Sequence, residues 1–303
     1  MRQCNNLVFA ILLAGATLAL AAQQRLIPAT PAQAASQTVH LLVSVTDPDD
    51  RPWAGLARDD FKVYENDRPQ AIASFATTDE PFSIGIILDL SASMTSKLEA
   101  ARQSILGFIR AANPEDEYFV VGFNDRPELI QDFTNSVETI QARLSAVRTG
   151  HRTALLDAVC LGLAKMKEAR NERKALFVLS DGGDNHSNCS EGELRAQLRR
   201  SGVKLDSLGI FDRIPRMQEE RTGPWLLNEL SEETGGRLYR GDGLVEIAEH
   251  ISTKLRNQYV IGYQSSDPTM DGKWRKVKVK IKPPPGLPQL TVLTRTGYYA
   301  PSQ

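Results

Sequence analysis

Hydrophobic and polar residues follow different patterns in three parts of the chain. At Val39–Val45 every second residue is apolar, which is typical of a half-buried β-strand. The middle of the chain instead contains nearly unbroken apolar runs, among them Ile84–Leu88 and Ala175–Leu179, which predict strands buried on both faces of a parallel sheet. Towards the C-terminal end, Lys276–Ile281 alternates again between lysine and an apolar residue. These patterns predict an α/β segment flanked by two β segments.

Helical patterns separate the buried strands of the middle segment. Leu98–Ala112 carries apolar residues at helical spacing and is followed by Pro114, which ends a helix. Ala154–Met166 is apolar nearly all round and predicts a helix enclosed by its neighbours, and Leu244–Leu255 carries the last helical stripe. Because strands and helices alternate, residues 83–256 are predicted to form a doubly wound, mostly parallel sheet.

Five shorter elements complete the predicted α/β segment. They are the strands Tyr118–Phe123, Leu205–Phe211 and Leu238–Tyr239, the short helix Trp225–Thr234, and a helix opened by the capping box of Ser190 and Glu193.

The two flanking segments, residues 38–82 and 257–303, contain only β patterns. The first is predicted to hold a hairpin of Phe61–Tyr64 and Ala71–Phe75 that closes near Asn66, and the second to end in one strand over Leu290–Tyr299. Neither flank is large enough to be stable alone, so we expect them to pair into one small β-sandwich. The lysines of residues 276–281 then cover a solvated strand face rather than a binding patch.

The N-terminal residues have the layout of an export signal. Arg2 precedes the apolar run Leu7–Ala22, and small residues suited to cleavage end at Ala21 or Ala22 and again at Ala34. We therefore predict a signal peptide over residues 1–22, a disordered leader over residues 23–37, and a secreted, periplasmic or cell-surface protein without a membrane span after cleavage. The alternative is a retained membrane anchor, for which the apolar run is short.

Charge and cysteine content narrow the function classes. The chain has 36 basic and 37 acidic residues and no basic stripe interleaved with aromatic residues, so a nucleic-acid partner is not expected. Cys4 would leave with the signal, and Cys160 and Cys189 would remain. An oxidising compartment would permit a disulfide between these two, but two unrelated thiols are an equally open alternative.

Oxygen-bearing side chains lie where the predicted strands end. Asp89, Ser91 and Ser93 follow the first buried strand, Asp181 ends another, and Thr153 precedes the enclosed helix. In an open α/β sheet these positions share the carboxyl edge, where ligands bind. Carboxylates and hydroxyls suit a hard cation such as Mg²⁺, with Mn²⁺ or Ca²⁺ as alternatives. As an alternative, Asp89 and Asp181 are ordinary strand-end residues.

Together these five residues resemble the metal-ion-dependent adhesion site of von Willebrand factor type A domains. The flanks also resemble a bacterial group of secreted proteins in this superfamily, on the residues Asp60–Phe75 and Arg295–Ala300. The resemblance implies that Ser91 and Ser93 contact the metal directly and Thr153 directly or through water. It further implies that Asp89 and Asp181 act mainly through waters and hydrogen bonds, and that a carboxylate of a partner takes an open position.

The sequence thus predicts an exported, non-enzymatic adhesion or protein-binding module that captures an Asp or Glu of a protein or peptide partner. One alternative is an assembly scaffold with a non-functional metal site. A Mg²⁺-dependent phosphohydrolase is the other, because Asp89-Leu-Ser91 resembles the start of a phosphatase motif; the second aspartate that such enzymes need is a serine here. The sequence contains no G-x-S-x-G, H-E-x-x-H, Walker A or G-x-G-x-x-G motif.

Charged residues near the metal-site positions are candidates for contacting an acidic partner. They are Arg152, His186, Arg213 and Arg216, all in predicted loops at the carboxyl edge. The alternative for each is an ordinary solvated loop residue. The oligomeric state is left open.

Overall fold

Three sheets make up the part of the chain that the computed structural model describes, namely residues 38–212, 214, 218–282, 286 and 288–302. The predicted signal peptide and leader lie outside these residues. The helices are α1 (Leu98–Arg110), α2 (Val137–Ala146), α3 (Leu155–Lys165), α4 (Glu191–Ser201), α5 (Gln218–Glu232) and α6 (Leu244–Arg256). The strands are β1 (Thr38–Thr46), β2 (Phe61–Glu65), β3 (Arg68–Gln70), β4 (Ile72–Thr78), β5 (Phe82–Asp89), β6 (Glu117–Phe123), β7 (Pro127–Thr134), β8 (Arg173–Ser180), β9 (Lys204–Gly209), β10 (Leu238–Tyr239), β11 (Gln258–Gln264), β12 (Trp274–Ile281), β13 (Thr291–Leu293) and β14 (Gly297–Tyr299).

The central sheet has the strand order β10-β9-β8-β5-β6-β7. All of its pairings are parallel except that of β7 with β6. Every residue of β5 is buried, as expected for a strand covered on both faces. Helices α1, α2 and α6 pack on one face and α3, α4 and α5 on the other. The predicted doubly wound sheet is therefore confirmed.

Two elements at the edge of this sheet were not predicted from the sequence. Strand β7 has no fully buried residue, so it lacks the apolar run that marked the central strands. Helix α2 is short, with Ile140 and Leu144 as its buried residues. Helix α5 begins earlier than predicted because it continues through Pro224, a residue that normally interrupts a helix.

The flanks pair with each other, as predicted. One sheet has the order β13-β1-β11-β4 and the other β14-β12-β2-β3, so each contains strands from both ends of the described chain. Their apolar side chains form one core, in which Phe61 contacts Phe75 and Tyr259 across the two layers at 5.4 and 5.0 Å between ring centroids. The pairing of Thr78 with Gln258 brings the two ends of the α/β segment side by side.

Two strand predictions within the flanks were wrong. The hairpin does close at Asn66, which has a left-handed φ of 46°, but its second strand is the short β3. The predicted partner crosses to the other layer as β4 and pairs with β11, which places Phe75 beside Tyr259. The predicted final strand over residues 290–299 is two strands, β13 and β14, in different sheets. In both cases the chain changes layers to fill the sandwich core from both sides.

The lysines of β12 point to solvent, and the intervening valines are buried. Strand β12 lies between β14 and β2 rather than at an edge of its sheet. Among the described residues, no helix combines the length and apolar character that crossing a membrane requires.

Candidate functional site

The carboxylate of Asp89 is fixed at the end of β5. It is fully buried, and both of its oxygens accept hydrogen bonds: Oδ1 from the backbone N–H of Ser91 at 2.8 Å, and Oδ2 from the hydroxyl of Ser180 at 2.6 Å. Ser180 is the last residue of β8, so this carboxylate ties together the carboxyl ends of two neighbouring strands. It cannot rotate without breaking both bonds.

The hydroxyls of Ser91 and Ser93 lie next to each other above this carboxylate. A tight 3₁₀ turn over Ala92–Met94 follows β5 and is closed by a hydrogen bond from the Met94 N–H to the carbonyl of Ser91. The turn brings the two Oγ atoms to 3.1 Å from each other. Ser91 is buried and Ser93 half-buried, so Ser93 is the more accessible of the two.

Thr153 is held against the same edge of the sheet by backbone contacts. Its N–H donates to the side-chain carbonyl of Asn185, and its own carbonyl accepts from the N–H groups of Asn185 and His186. Three residues before Thr153, the N–H of Gly150 donates to the carbonyl of Leu90 at 2.8 Å. Three segments that are distant in the sequence, after β5, before α3 and after β8, therefore meet at one edge.

The backbone after Asp181 is held by a close glycine contact. Gly182 has a left-handed φ of 85°, and a Cβ at this position would lie 2.6–2.7 Å from backbone atoms of Gly223 in α5. The bare backbone at both positions allows the Asp181 segment and α5 to pack directly. The N–H of Gly182 also donates to Ser180 at 2.8 Å.

The two carboxylates of the site interact electrostatically. Burial, the larger effect, and the negative charge of Asp181 together raise the pKa of Asp89 to about 6, against the hydrogen bonds from Ser180 and Ser91. The fold thus disfavours the ionised form of Asp89, and a cation bound beside its carboxylate would offset this cost.

One lysine lies within this site and was missed by the sequence analysis. The ammonium of Lys97 is 3.2 Å from Oδ2 of Asp181 and 2.9 Å from Oδ2 of Asp212. Burial is the largest influence and lowers the pKa of Lys97, but the hydrogen bonds and charges of Asp212 and Asp181 outweigh it, so the pKa lies above its ordinary value. Lys97 is the N-cap residue of α1, where the helix dipole disfavours a cation, but the exact start of the helix is known only from the structure.

The candidate partner-binding residues are only partly described. Arg152 and His186 are exposed and contact each other at 3.3 Å between Nη1 and Nδ1, beside Thr153. Arg213 and Arg216 lie outside the described residues.

The structure joins Cys160 of α3 and Cys189 in a disulfide. Asp157 reinforces this link, because its carboxylate accepts hydrogen bonds from the N–H groups of Asn188 and Cys189. Both contacts attach the loop after Asp181 to helix α3.

The donor set fits a hard divalent cation. An octahedral ion with ligands at about 2.1 Å needs neighbouring oxygens about 3 Å apart, and the hydroxyl oxygens of Ser91 and Ser93 have this separation. Within the described ranges there is no cluster of three or more His, Cys, Asp or Glu side chains that could hold a metal. A site here would therefore combine hydroxyls and carboxylates, which favours Mg²⁺ or Mn²⁺ over zinc.

Comparison with known proteins agrees with this fold. Residues 84–183 match the family model of the von Willebrand factor type A domain. No curated protein matches the sequence. Among solved structures, a von Willebrand factor type A protein from Catenulispora acidiphila is similar with a TM-score of 0.50 at 14% identity, over 89% of this chain and 75% of that one. The family match therefore places a von Willebrand factor type A domain within the central α/β segment, over residues 84–183.

Two further structures are similar to the chain at lower scores. The conserved hypothetical protein BatB from Bacteroides thetaiotaomicron has a TM-score of 0.46 at 18% identity, over 59% of this chain and 100% of that one. The vWF domain of the type V pili tip protein Mfa5 from Porphyromonas gingivalis has a TM-score of 0.47 at 12% identity, over 59% of this chain and 96% of that one.

Proposed function

We propose that this protein is an exported adhesion or protein-binding module that captures a carboxylate of its partner through a Mg²⁺-type site. The residues that would hold the ion are Asp89, Ser91, Ser93, Thr153 and Asp181. The observation that carries the proposal is the pair of serine hydroxyls, 3.1 Å apart, beside the buried carboxylate of Asp89.

The residues of the site have separable roles in this proposal. Asp89 orients the Ser91 loop, because its two oxygens already accept hydrogen bonds from Ser91 and Ser180. Ser91, Ser93 and Thr153 offer neutral oxygens, so little negative charge contacts the ion directly. A bound ion would supply an electrophilic position that an external carboxylate can occupy.

Recognition of an acidic partner is further supported by charge next to the site. Arg152 is exposed and adjacent to Thr153, and His186 contacts it, so both are available to a partner that approaches the carboxyl edge. We extend this role to Arg213 and Arg216. Because the proposal involves no bond-breaking step, the protein is proposed to act without catalysis.

A scaffold function without a bound ion is the second candidate. The observation in its favour is Lys97, whose ammonium already gives Asp181 a positive partner at 3.2 Å. An ion is then not needed to balance the charge of this aspartate.

Peptide capture tests the first proposal. Immobilised peptides that present Asp or Glu, and matched peptides with Asn or Gln, are incubated with the purified chain in Mg²⁺ or in EDTA. We expect retention on a subset of acidic peptides in Mg²⁺ only, and a loss of about tenfold or more for Ser91→Ala, since this removes a direct oxygen ligand.

Ser104→Ala is the matched control, because Ser104 is also a buried serine but its hydroxyl donates to the Ala100 carbonyl within α1. This variant should bind as the wild type does. Capture that persists in EDTA, or that is unchanged in Ser91→Ala, would contradict the metal role.

A further inference from the structure

The ammonium of Lys97 lies between two carboxylates of the carboxyl edge. It is 3.2 Å from Asp181, a metal-site residue, and 2.9 Å from Asp212, which is outside the five-residue site. Its side chain is only 10% exposed, whereas that of Asp212 is 54% exposed. Lys97 is therefore an inward-facing cation with one partner inside the site and one at its border.

Helix electrostatics do not explain this position. Lys97 is the N-cap residue of α1, where the positive end of the helix dipole repels a cation. Lys165 is also little exposed, at 12%, and also pairs with two carboxylates, those of Asp132 and Glu168, but it is the last residue of α3, where the dipole favours a cation. The carboxylates of Asp181 and Asp212 must hold Lys97 in place against the dipole.

The same carboxylate cannot serve both cations fully. A divalent ion near Asp181 would face the ammonium at short range, and like charges at such distances repel strongly in a partly buried site. Asp212 offers the ammonium a second partner at a shorter distance than Asp181, so Lys97 can give up Asp181 without losing its only carboxylate.

We propose that Lys97 is a built-in competitor of the divalent cation, which neutralises Asp181 when the ion is absent and lowers the affinity of the site for it. This inference rests on the proposed metal site. It assigns Lys97 a positioning role that sets how much free divalent cation is required before a partner carboxylate can be captured.

Direct Mn²⁺ titration of the full chain tests the inference. The protein is freed of metal with EDTA, and bound Mn²⁺ is measured by isothermal titration calorimetry and by loss of the free-ion electron paramagnetic resonance signal. We expect Lys97→Met and Lys97→Gln each to tighten the dissociation constant about tenfold, because both remove the competing charge. Lys97→Arg keeps the charge and should stay within about twofold of the wild type, as should the matched control Lys165→Met.

The outcomes separate this inference from the proposed function. If the wild type binds Mn²⁺ and both neutral variants bind it no more tightly, the competitor role is wrong and the metal site stands. If only the neutral variants bind, Lys97 is a competitor strong enough to exclude the ion, and the proposed Mg²⁺-dependent function is contradicted. If neither the wild type nor the neutral variants bind Mn²⁺, both the competitor role of Lys97 and the proposed metal-dependent function are wrong. Circular dichroism and thermal unfolding establish that each variant is folded, and two neutral substitutions guard against the failure of one.

Discussion

At the scale of single residues, the buried carboxylate of Asp89 gives the ion-free protein a characteristic pH dependence. Its pKa of about 6 lies above the ordinary value of 3.8 because burial and the charge of Asp181 disfavour the ionised form. Protonation therefore stabilises the fold. The contribution of Asp89 to the free energy of unfolding is greatest below pH 4, falls by roughly 1 kcal/mol per pH unit towards pH 6, and is lost above it.

Urea unfolding in EDTA between pH 4.5 and 7.5 measures this effect. Relative to Asp89→Asn, the wild type should lose about 1–2 kcal/mol of stability across the interval, because asparagine does not ionise. Asp49→Asn, a change at an exposed aspartate, should leave the wild-type profile unaltered. If the free energy of unfolding depended on pH in the same way for the wild type and Asp89→Asn, ionisation of Asp89 would not destabilise the fold, which would contradict this prediction.

Single residues of the site differ in whether the sequence alone could identify them. Asp89, Ser91, Ser93, Thr153 and Asp181 could be selected because they follow apolar strands or precede an apolar helix. Two participants could not. Ser180 precedes Asp181 and looks like a strand residue, and Lys97 resembles any charged residue near a helix start. Their roles depend on contacts across 91 and 84 residues of sequence, respectively.

At the scale of elements, a turn of the N-terminal flank holds helix α6. Asp50 lies in the turn after β1, and its carboxylate accepts hydrogen bonds from Lys254 at 2.8 and 3.0 Å and from Arg237 at 2.7 Å. It also contacts His250 at 3.2 Å. Lys254 is only 1% exposed, and Tyr239 is its other hydrogen-bond partner. The sandwich is thus joined to the last helix of the α/β segment by a buried charge.

Removing this carboxylate should be strongly destabilising. In Asp50→Asn the ammonium of Lys254 stays buried without a negative partner, so we expect a loss of about 3 kcal/mol in the free energy of unfolding, measured with urea at pH 7. The double variant Asp50→Asn with Lys254→Met should recover part of it. Asp49→Asn is the neighbouring control, because Asp49 is 71% exposed and its partner Arg51 is exposed as well. Equal stability of Asp50→Asn and Asp49→Asn would contradict the role of this cluster.

At the scale of the whole described molecule, the spacing of apolar residues predicted which sheets form. It did not predict which sheet each strand of the flanks joins. Two β flanks too small to be stable had to pair, and they do. The crossings of β4, and of the chain between β13 and β14, were missed because alternation marks which side of a strand is buried but not which sheet it joins. That choice depends on distant contacts such as Phe75 with Tyr259.

The layered fold brings five oxygen side chains and one ammonium to a single edge of the central sheet. Crystals of the full chain soaked with Mn²⁺ and measured at the manganese absorption edge test most directly whether that edge holds an ion. We predict one anomalous peak at bonding distance, about 2 Å, from the hydroxyl oxygens of Ser91 and Ser93, with Lys97 turned from Asp181 towards Asp212. If crystals soaked in excess Mn²⁺ showed no anomalous peak at these serines and Lys97 remained paired with Asp181, the proposed metal site would be contradicted.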